Sequence, residues 1–424
     1  MTRVNNIWES AELRAILDAL PSHAGDEAAA PMLPRFCYTS PEFFEFEREA
    51  VFARSWVCVA RTDQLAEPGD CLSVSMAGEP LIIARTQSGN LRAMGGVCQH
   101  RGHVLSCGAE QPNGLLRCPL HHWTYDLEGR LIGAPRMGDM LAGLRDTVRL
   151  PPVRIAVWHG FIFVNLDSEA PPLAPSLAKV EPCWKGYEEA DLVTVPPVTA
   201  TTPVPWNWKI QLENFTDAYH PEFVHRGTHD FAPSVHSEDG VAFSPMAEGD
   251  NAIVRSVPML RPDGGMMRDG WGAEAMFPPI ESLAPTQRSR LYFVMVPPNL
   301  QLMFAPGAVS YTLLIPTAAD ATFASSDRVT GGGWILPRST VALPDFAERA
   351  AAVREGAGKI WAQDVPVNNA MQAGKRSRFM PKGCYGPLET TLVQFNAWLL
   401  RAYRQEMLVA CSQGALATRQ PFTT

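Results

Sequence analysis

A short stretch near the middle of the chain, residues 212–225, carries side chains that could bind a metal ion. His220 and His225 lie five residues apart, and Asp217 precedes the first histidine by three residues. Two neutral imidazoles suit a divalent metal such as iron or zinc, and a carboxylate would complete the 2-His-1-carboxylate face of non-haem Fe(II). On a helix Asp217 and His220 would share one face. Pro221 predicts a break or kink that could swing His225 back towards them.

A second cluster of possible metal ligands lies earlier in the chain. Cys98 and His100 form a C-x-H pair, and Cys118 and His121 form a C-x2-H pair after seventeen intervening residues. A structural zinc site would use all four as a tetrahedron. A Rieske [2Fe–2S] centre would place the two cysteines on one iron and the two histidines on the other. Zinc motifs usually have C-x2-4-C and H-x3-5-H halves, so the mixed halves favour the iron–sulfur centre.

The length of the chain predicts two domains, because 424 residues are too many for one hydrophobic core. Short apolar runs separated by Gly, Asp, Asn and Pro predict an all-β domain between about residues 56 and 165. These runs are 72–74, 81–83, 91–94, 155–157 and 161–164. The proline-rich stretch 171–175 predicts a domain boundary.

The rest of the chain predicts a mixed domain. Its predicted strands are 192–204, 290–296, 300–304, 310–315 and 333–336, and its predicted helices are 9–20, 40–54, 345–371 and 389–407. Residues 226–285 have weak periodicity and no assigned element. The fold class is therefore α+β, with one domain over 45–170 and a second formed by 1–44 and 171–424.

Charge and composition argue against several functions. The formal net charge of -8 disfavours a nucleic-acid role, which usually requires a basic face. No apolar run approaches the roughly 18 residues of a membrane span, and residues 1–6 lack a signal-peptide core, so we expect a cytoplasmic protein. The nine cysteines are an odd number in a reducing compartment, and we expect buried thiols and metal ligands rather than disulfides.

Together the two motifs resemble the Rieske non-haem iron ring-hydroxylating oxygenases, in their large (alpha) oxygenase subunit. Residues 98–102 and 118–123 resemble the Rieske motif, and 212–225 resembles the mononuclear iron motif, in the family order. The resemblance implies an all-β Rieske [2Fe–2S] domain and a helix-grip catalytic domain of antiparallel sheet and long helices. It also implies that Cys98 and Cys118 bind one iron of the cluster, and His100 and His121 the other.

The resemblance further implies that a C-terminal helix supplies a carboxylate to a mononuclear Fe(II) held by His220 and His225. Residues 360–364 resemble that segment, which makes Asp364 the third ligand and Glu355 the next candidate. Asp217 is then implied to be a catalytic residue that joins an iron-ligating histidine to a Rieske histidine of the neighbouring subunit. Asn214, six residues before His220, is a second candidate catalytic residue, with an ordinary helix-face amide as the alternative.

As a whole, the resemblance implies a terminal oxygenase component with O2 as co-substrate. An NAD(P)H-dependent reductase, with or without a ferredoxin, would supply electrons, because the chain has no Gly-rich dinucleotide fingerprint of its own. The family forms homotrimers, with or without a small beta subunit. The alternative from another class is a Rieske electron carrier whose second domain only binds a ligand and has no need of the second iron.

The substrate is predicted to be a small, aromatic molecule, and dihydroxylation, monohydroxylation and demethylation all remain open. The alternative is hydroxylation or oxidative N-demethylation of a quaternary amine held by cation–π contacts. The candidate substrate-binding residues are Phe223, Trp271, Phe293, Met303 and Phe304.

Overall fold

The computed structural model describes residues 10–18, 20, 32–76, 78–107, 114–195, 203–225, 232–235, 237–260, 277–324 and 333–412. Within these ranges the strands are β1 Val57–Arg61, β2 Cys71–Met76, β3 Glu79–Arg85, β4 Leu91–Gly95, β5 Leu115–Arg117, β6 Thr124–Asp126, β7 Leu131–Gly133, β8 Pro152–Trp158, β9 Phe161–Asn165, β10 Leu192–Val195, β11 Ala242–Phe243, β12 Ile253–Pro258, β13 Arg290–Val296, β14 Leu300–Ala305, β15 Ala308–Ala318, β16 Ala321–Ala324 and β17 Gly333–Pro337.

The α-helices are Ala11–Asp18, Phe36–Thr39, Pro41–Glu47, Met140–Thr147, Leu173–Ser176, Glu181–Trp184, Trp208–Thr216, Pro221–Val224, Pro285–Arg288, Arg338–Val341, Phe346–Arg376 and Thr390–Ser412, and Arg48–Phe52 forms a π-helical turn. We call Trp208–Thr216 the site helix, Phe346–Arg376 the long helix and Thr390–Ser412 the C-terminal helix. No helix among the described residues is both long enough and apolar enough to cross a membrane.

The first half of the chain forms two antiparallel sheets. The six-stranded sheet has the order β1-β9-β8-β4-β3-β2, and its strands contain all five predicted apolar runs. The small sheet β5-β6-β7 was not predicted, because strands of three residues are too short to show an alternation. Both sheets lie within residues 45–170, although the exact domain limits remain a prediction.

The second half forms one large antiparallel sheet. Its order is β10-β17-β15-β14-β13-β12-β11, with β16 paired to β15. The predicted strands 290–296, 300–304, 310–315 and 333–336 are confirmed. The sequence did not predict β12, because five of its six residues are buried and no polar–apolar alternation marks it.

One face of this large sheet carries a continuous row of side chains from strand to strand. The antiparallel register pairs Arg255 with Phe293, Phe293 with Met303, Met303 with Ser310, and Ser310 with Trp334. We call this set the sheet row. Because side chains alternate between faces along a strand, their immediate neighbours point to the other face. The other face packs against aromatic residues of β9 and the helix Glu181–Trp184.

The site helix and the C-terminal helix pack against the large sheet. The long helix and the C-terminal helix both contact the site helix. The predicted helices 345–371 and 389–407 are confirmed. A fully buried ion pair between Lys209 and Glu47 (2.7 Å) joins the site helix to the helix Pro41–Glu47, and Tyr403 donates to the same carboxylate. These contacts pack the helix Pro41–Glu47 against the site helix and the C-terminal helix.

Candidate functional site

Within residues 212–225 the helix ends about one turn before Pro221, where the sequence predicts a break. The site helix ends at Thr216, and Asp217 caps it with an extended backbone (φ -62°, ψ 126°). Pro221 then occupies the first position of a new short helix, where its missing N–H costs nothing. The expectation that Asp217 and His220 share a helix face is therefore wrong. They meet because the Asp217 carboxylate accepts the backbone N–H groups of Tyr219 (2.7 Å) and His220 (3.3 Å).

Three side chains from two distant parts of the chain converge beyond this break. Asp364 of the long helix places Oδ1 3.0 Å from His225 Nε2 and 3.8 Å from His220 Nε2. Potential ligand atoms of all three residues lie within 4.8 Å of one another. This donor set fits a 2-His-1-carboxylate metal site, and it is the only such group of three found among the described residues.

Each of the three side chains has a partner behind it. His220 Nδ1 donates to Asp217 Oδ2 (2.9 Å) and His225 Nδ1 donates to Gln363 Oε1 (2.8 Å). A carboxylate or an amide oxygen can only accept, so each imidazole keeps its proton on Nδ1 and presents Nε2 to the centre. Such partners fix the tautomer and the ring orientation of a metal-binding histidine.

The amide of Asn214 donates to Asp364 Oδ1 (3.2 Å), so Asn214 contacts the site rather than solvent. Gln363 is a site residue that the sequence did not reveal. It stands next to Asp364, but neighbouring helical residues point about 100° apart, and only the packing shows that both reach the site. Glu355, the alternative third ligand, is not part of this group: its side chain is 70% exposed and pairs with Lys359 at 2.7 Å.

Asp364 also raises the pKa of His225, through its charge and its hydrogen bond. Burial by itself lowers the pKa of His225, but the hydrogen bonds with Asp364 and Gln363 outweigh it and hold the pKa above its ordinary value. The Asp364 carboxylate therefore stabilises positive charge beside the two imidazole rings. A divalent metal would supply that charge.

A cavity of about 380 Å³ opens from the triad between the sheet row and the long helix. The long helix contributes Val353, Ala357, Ile360 and Trp361, and the site helix contributes Gln211, Asn214 and Phe215. This volume falls within the range of small-molecule sites. Phe293 and Met303 line it, as expected.

Two other expected pocket residues do not line the cavity. Phe304 follows Met303 on β14 and so points to the other face of the sheet, where it is fully buried against Trp184 and Tyr187. Phe223 is 59% exposed, and its ring contacts Tyr219. Trp271 lies outside the described residues. Residues that line the cavity but were not expected include Arg255, Phe215, Trp334 and Trp361.

The second cluster lies on two loops with the same backbone pattern. Cys98 N–H donates to the carbonyl of His103 (2.9 Å), and Cys118 N–H donates to that of Trp123 (2.8 Å). In each loop the fourth residue after the cysteine donates back to the cysteine carbonyl and has a positive φ, 75° at Gly102 and 57° at His122. Hydrogen bonds within each loop therefore stabilise the same backbone conformation around the two cysteines.

The side chains on these loops fit a cluster with two kinds of ligand. The Cys98 and Cys118 thiols are buried. His100 and His121 lie nearer the surface, with ring centroids 4.7 Å apart. Burial raises the pKa of the Cys118 thiol, while the backbone N–H groups of Leu120 and His121 lower it. Amides aimed at a sulfur stabilise negative charge there, as an iron–sulfur cluster requires.

One expectation about the cysteines is wrong. Cys71 of β2 and Cys107, at the end of the first loop, form a disulfide. Cys107 N–H also donates to Ser73 Oγ (2.7 Å), so this end of the loop is held to β2 twice. The pairing could not be read from the sequence, because the two positions are 36 residues apart and the odd cysteine count argued against disulfides.

Both halves of the chain match known protein families. Residues 184–405 match the family described as the ring hydroxylating alpha subunit (catalytic domain), and residues 55–152 match the Rieske [2Fe-2S] domain. The carnitine monooxygenase oxygenase subunit of Acinetobacter baumannii is 34% identical over 211 residues, 48% of this chain and 54% of that protein. The chain thus spans about half the length of the curated relatives it matches.

Solved structures share the same fold. A quaternary ammonium Rieske monooxygenase in complex with L-carnitine has a TM-score of 0.71 at 22% identity, covering 91% of this chain and 99% of that chain. Naphthalene 1,2-dioxygenase from Rhodococcus sp. bound to indole has a TM-score of 0.73 at 20% identity, covering 93% and 99%. The predicted fold, a Rieske domain joined to an α+β catalytic domain, is confirmed.

Proposed function

The chain belongs to the ring-hydroxylating alpha-subunit family, whose catalytic domain accounts for more than half of its residues, and from that membership we propose that it is the terminal oxygenase component of a Rieske non-haem iron oxygenase. Both cofactors follow from the family: a [2Fe–2S] cluster in the Rieske domain and a mononuclear iron in the catalytic domain. The reaction would insert oxygen from O2 into a small organic substrate, using electrons delivered by a reductase.

The observation that carries this proposal is that the triad lines the cavity. His220, His225 and Asp364 all line the same space as the apolar side chains of the sheet and the long helix. A substrate in that cavity would lie next to the open side of the metal. An electron carrier gains nothing from a three-ligand site inside a cavity, so the carrier alternative is disfavoured.

We assign the mononuclear iron to His220, His225 and Asp364, and the cluster to Cys98, His100, Cys118 and His121. When bound, the mononuclear iron supplies O2 activation and the cluster supplies electrons one at a time. Asn214 holds the Asp364 carboxylate, and Gln363 holds the His225 ring. Asp217 keeps His220 in the tautomer that presents Nε2.

Asp217 is also the proposed point of entry for electrons. The Asp217 and His220 side chains each keep 17% exposure, so the contact between them reaches the surface. Tyr219 and Phe223 are exposed beside it, while Leu120 is exposed beside His121 on the second cluster loop. These surfaces support contact between the Rieske loop of one subunit and Asp217 of the next, in a closed ring such as a homotrimer. A beta subunit and a ferredoxin remain optional partners.

A small aromatic molecule is the first candidate substrate. Phe215, Phe293, Trp334 and Trp361 line the cavity and offer ring surfaces. A quaternary amine is the second candidate, because the matched relatives include proteins named carnitine monooxygenase oxygenase subunits and the same rings could hold a cation.

The proposal is tested by metal analysis followed by turnover. The purified protein should be red-brown and contain about three irons and two sulfides per chain, from one [2Fe–2S] cluster and one mononuclear iron. With a reductase, NADH and labelled O2, a panel of aromatic and quaternary-amine substrates should yield a product carrying the label. Two irons per chain and no labelled product would support the electron carrier, and a colourless zinc protein would contradict both.

A further inference from the structure

Arg255 is a buried cation that the proposed reaction does not use. It lies on β12 at one end of the sheet row and is only 3% exposed. Its Nε donates to the carbonyl of Thr216 (2.6 Å), and its Nη2 donates to those of Phe215 and Asp217 (3.3 Å each). The guanidinium lies 3.9 Å over the ring of Phe293. These contacts fix the group at the end of the site helix, beside the proposed electron-entry residue.

The contacts of Arg255 satisfy only part of its hydrogen-bonding capacity. A guanidinium has five N–H groups, and the three carbonyls engage those of Nε and Nη2. Across the part of the chain that the structure describes, Nη1 has no hydrogen-bond partner. Arg255 is also one of the residues that line the cavity. With respect to the described residues, the two N–H groups of Nη1 are therefore the part of the guanidinium available to a molecule in the cavity.

The described lining of the cavity places no acidic side chain against the Arg255 guanidinium. Among the described lining residues, the only acidic side chain is Asp364, which faces the two histidines. Burial lowers the pKa of Arg255 to about 10, and the charge of Asp217 opposes that shift, so the guanidinium is still charged at neutral pH. Among the described residues Arg255 is held by neutral carbonyls and a ring but forms no salt bridge, so its desolvation is only partly compensated and an anionic partner is favoured.

We propose that Arg255 binds a carboxylate on the substrate, so that this cavity accepts small organic acids rather than neutral hydrocarbons or simple amines. This inference rests on the proposed function and narrows its substrate class to aromatic carboxylates, with ammonium carboxylates as the second group. The carboxylate would lie at the triad end of the cavity, since Arg255 also donates to the carbonyl of Asp217. The apolar remainder would extend towards Phe277 and Ala308.

The first test uses the unmodified holoprotein and compares probes that differ only in the charged group. Calorimetry would measure binding of benzoate against benzamide, and of glycine betaine against choline. A charge-assisted hydrogen bond contributes about 1.5–3 kcal/mol, so the carboxylate member of at least one pair should bind about tenfold more tightly or better. Equal binding within both pairs, or no detectable binding of either carboxylate, would overturn the proposal.

Variants then assign the preference to one side chain. Arg255→Gln should abolish the difference between the paired probes, and Arg255→Lys should retain part of it. Arg290→Gln is the matched control, because Arg290 is also on the sheet but donates to Gly240 and Ser256 instead of lining the cavity. It should leave the preference unchanged.

Arg255 also holds the end of the site helix, so the metal content of each variant must be measured alongside binding. If Arg255→Gln loses iron, the comparison of probes in Arg255→Lys and in the unmodified protein still decides the question. A carboxylate preference that survives in iron-loaded Arg255→Gln would contradict the assignment. Binding is measured without turnover, so an inactive protein that still prefers carboxylates would contradict the proposed oxygenase function and not this inference.

Discussion

The two proposed metal sites of this protein are built in opposite ways. Around the cysteine of each Rieske loop, backbone hydrogen bonds close turns between residues four and five positions apart, as from Cys98 to His103. The triad is assembled across the chain: Gln363 contacts His225 over 138 positions, and Asn214 contacts Asp364 over 150. The first site is a local feature of two loops, whereas the second exists only when the long helix packs beside the site helix.

The two sites should therefore be disrupted by different kinds of substitution. A loop whose backbone fixes its own shape depends on the ligands and on the residues with positive φ, such as Gly102. A site assembled from distant elements depends also on the hydrogen bonds that join those elements. The two sites should therefore fail independently, and the second should respond to changes in residues that do not touch the metal.

The largest expected effect is loss of the whole cluster. Cys118→Ser removes one buried thiolate ligand, so the visible bands and the EPR signal of the reduced Rieske centre should disappear completely. About one iron per chain should remain, because the triad lies in the other domain and the cluster accounts for two. Absorption, EPR and metal analysis of the same sample check this. Persistence of the bands would refute the ligand assignment, and loss of all iron would refute the independence of the sites.

Asp364→Ala should have the converse effect. Removing the only carboxylate of the triad should eliminate the mononuclear iron and reduce turnover below detection, while the Rieske spectrum stays normal. Glu355→Ala is the matched control on the same helix, since Glu355 is exposed and paired with Lys359. It should behave like the unmodified protein. Turnover in Asp364→Ala would show that another group completes the triad.

A smaller and more selective effect is expected at Asp217. Asp217→Asn keeps the size of the side chain but removes its charge, so both sites should still load with metal. Electron transfer between subunits should slow by orders of magnitude, because the hydrogen-bonded route through His220 is disrupted. Rapid mixing of the reduced variant with substrate and O2 should show a cluster that stays reduced. Fast reoxidation would rule out the bridge, and loss of the mononuclear iron would make Asp217 a ligand itself.

The smallest effect is expected at Gln363, which touches the histidine and not the metal. Gln363→Leu removes the acceptor for His225 Nδ1, and loss of such a partner typically weakens metal affinity by about 10–100-fold. Competition with an iron chelator should reveal this, while excess Fe(II) should restore activity. Gln363→Glu retains an oxygen acceptor and should bind iron nearly normally. Unchanged affinity in Gln363→Leu would mean that packing alone orients the ring.

Local features of this protein could be predicted from its amino-acid sequence. Residue types and spacing predicted the paired C-x-H and C-x2-H loops, most strands of both large sheets, and the two long helices, because each depends on neighbours within a few residues. The resemblance to a family added Asp364, which no local pattern distinguishes from other helical carboxylates. The family matches confirm that the chain contains a Rieske domain and a ring-hydroxylating alpha-subunit catalytic domain.

Which side chains share the cavity depends on the packing of distant segments, so the sequence could not predict it. Met303 and Phe304 are adjacent and both apolar, yet strand alternation sends one to the cavity and the other to the core behind the sheet. Arg255 reads as an ordinary arginine until the register places it beside Phe293 and the end of the site helix. Contacts of this kind depend on which strands pair and how helices pack over long sequence separations, and a period of two or 3.6 residues contains no information about either.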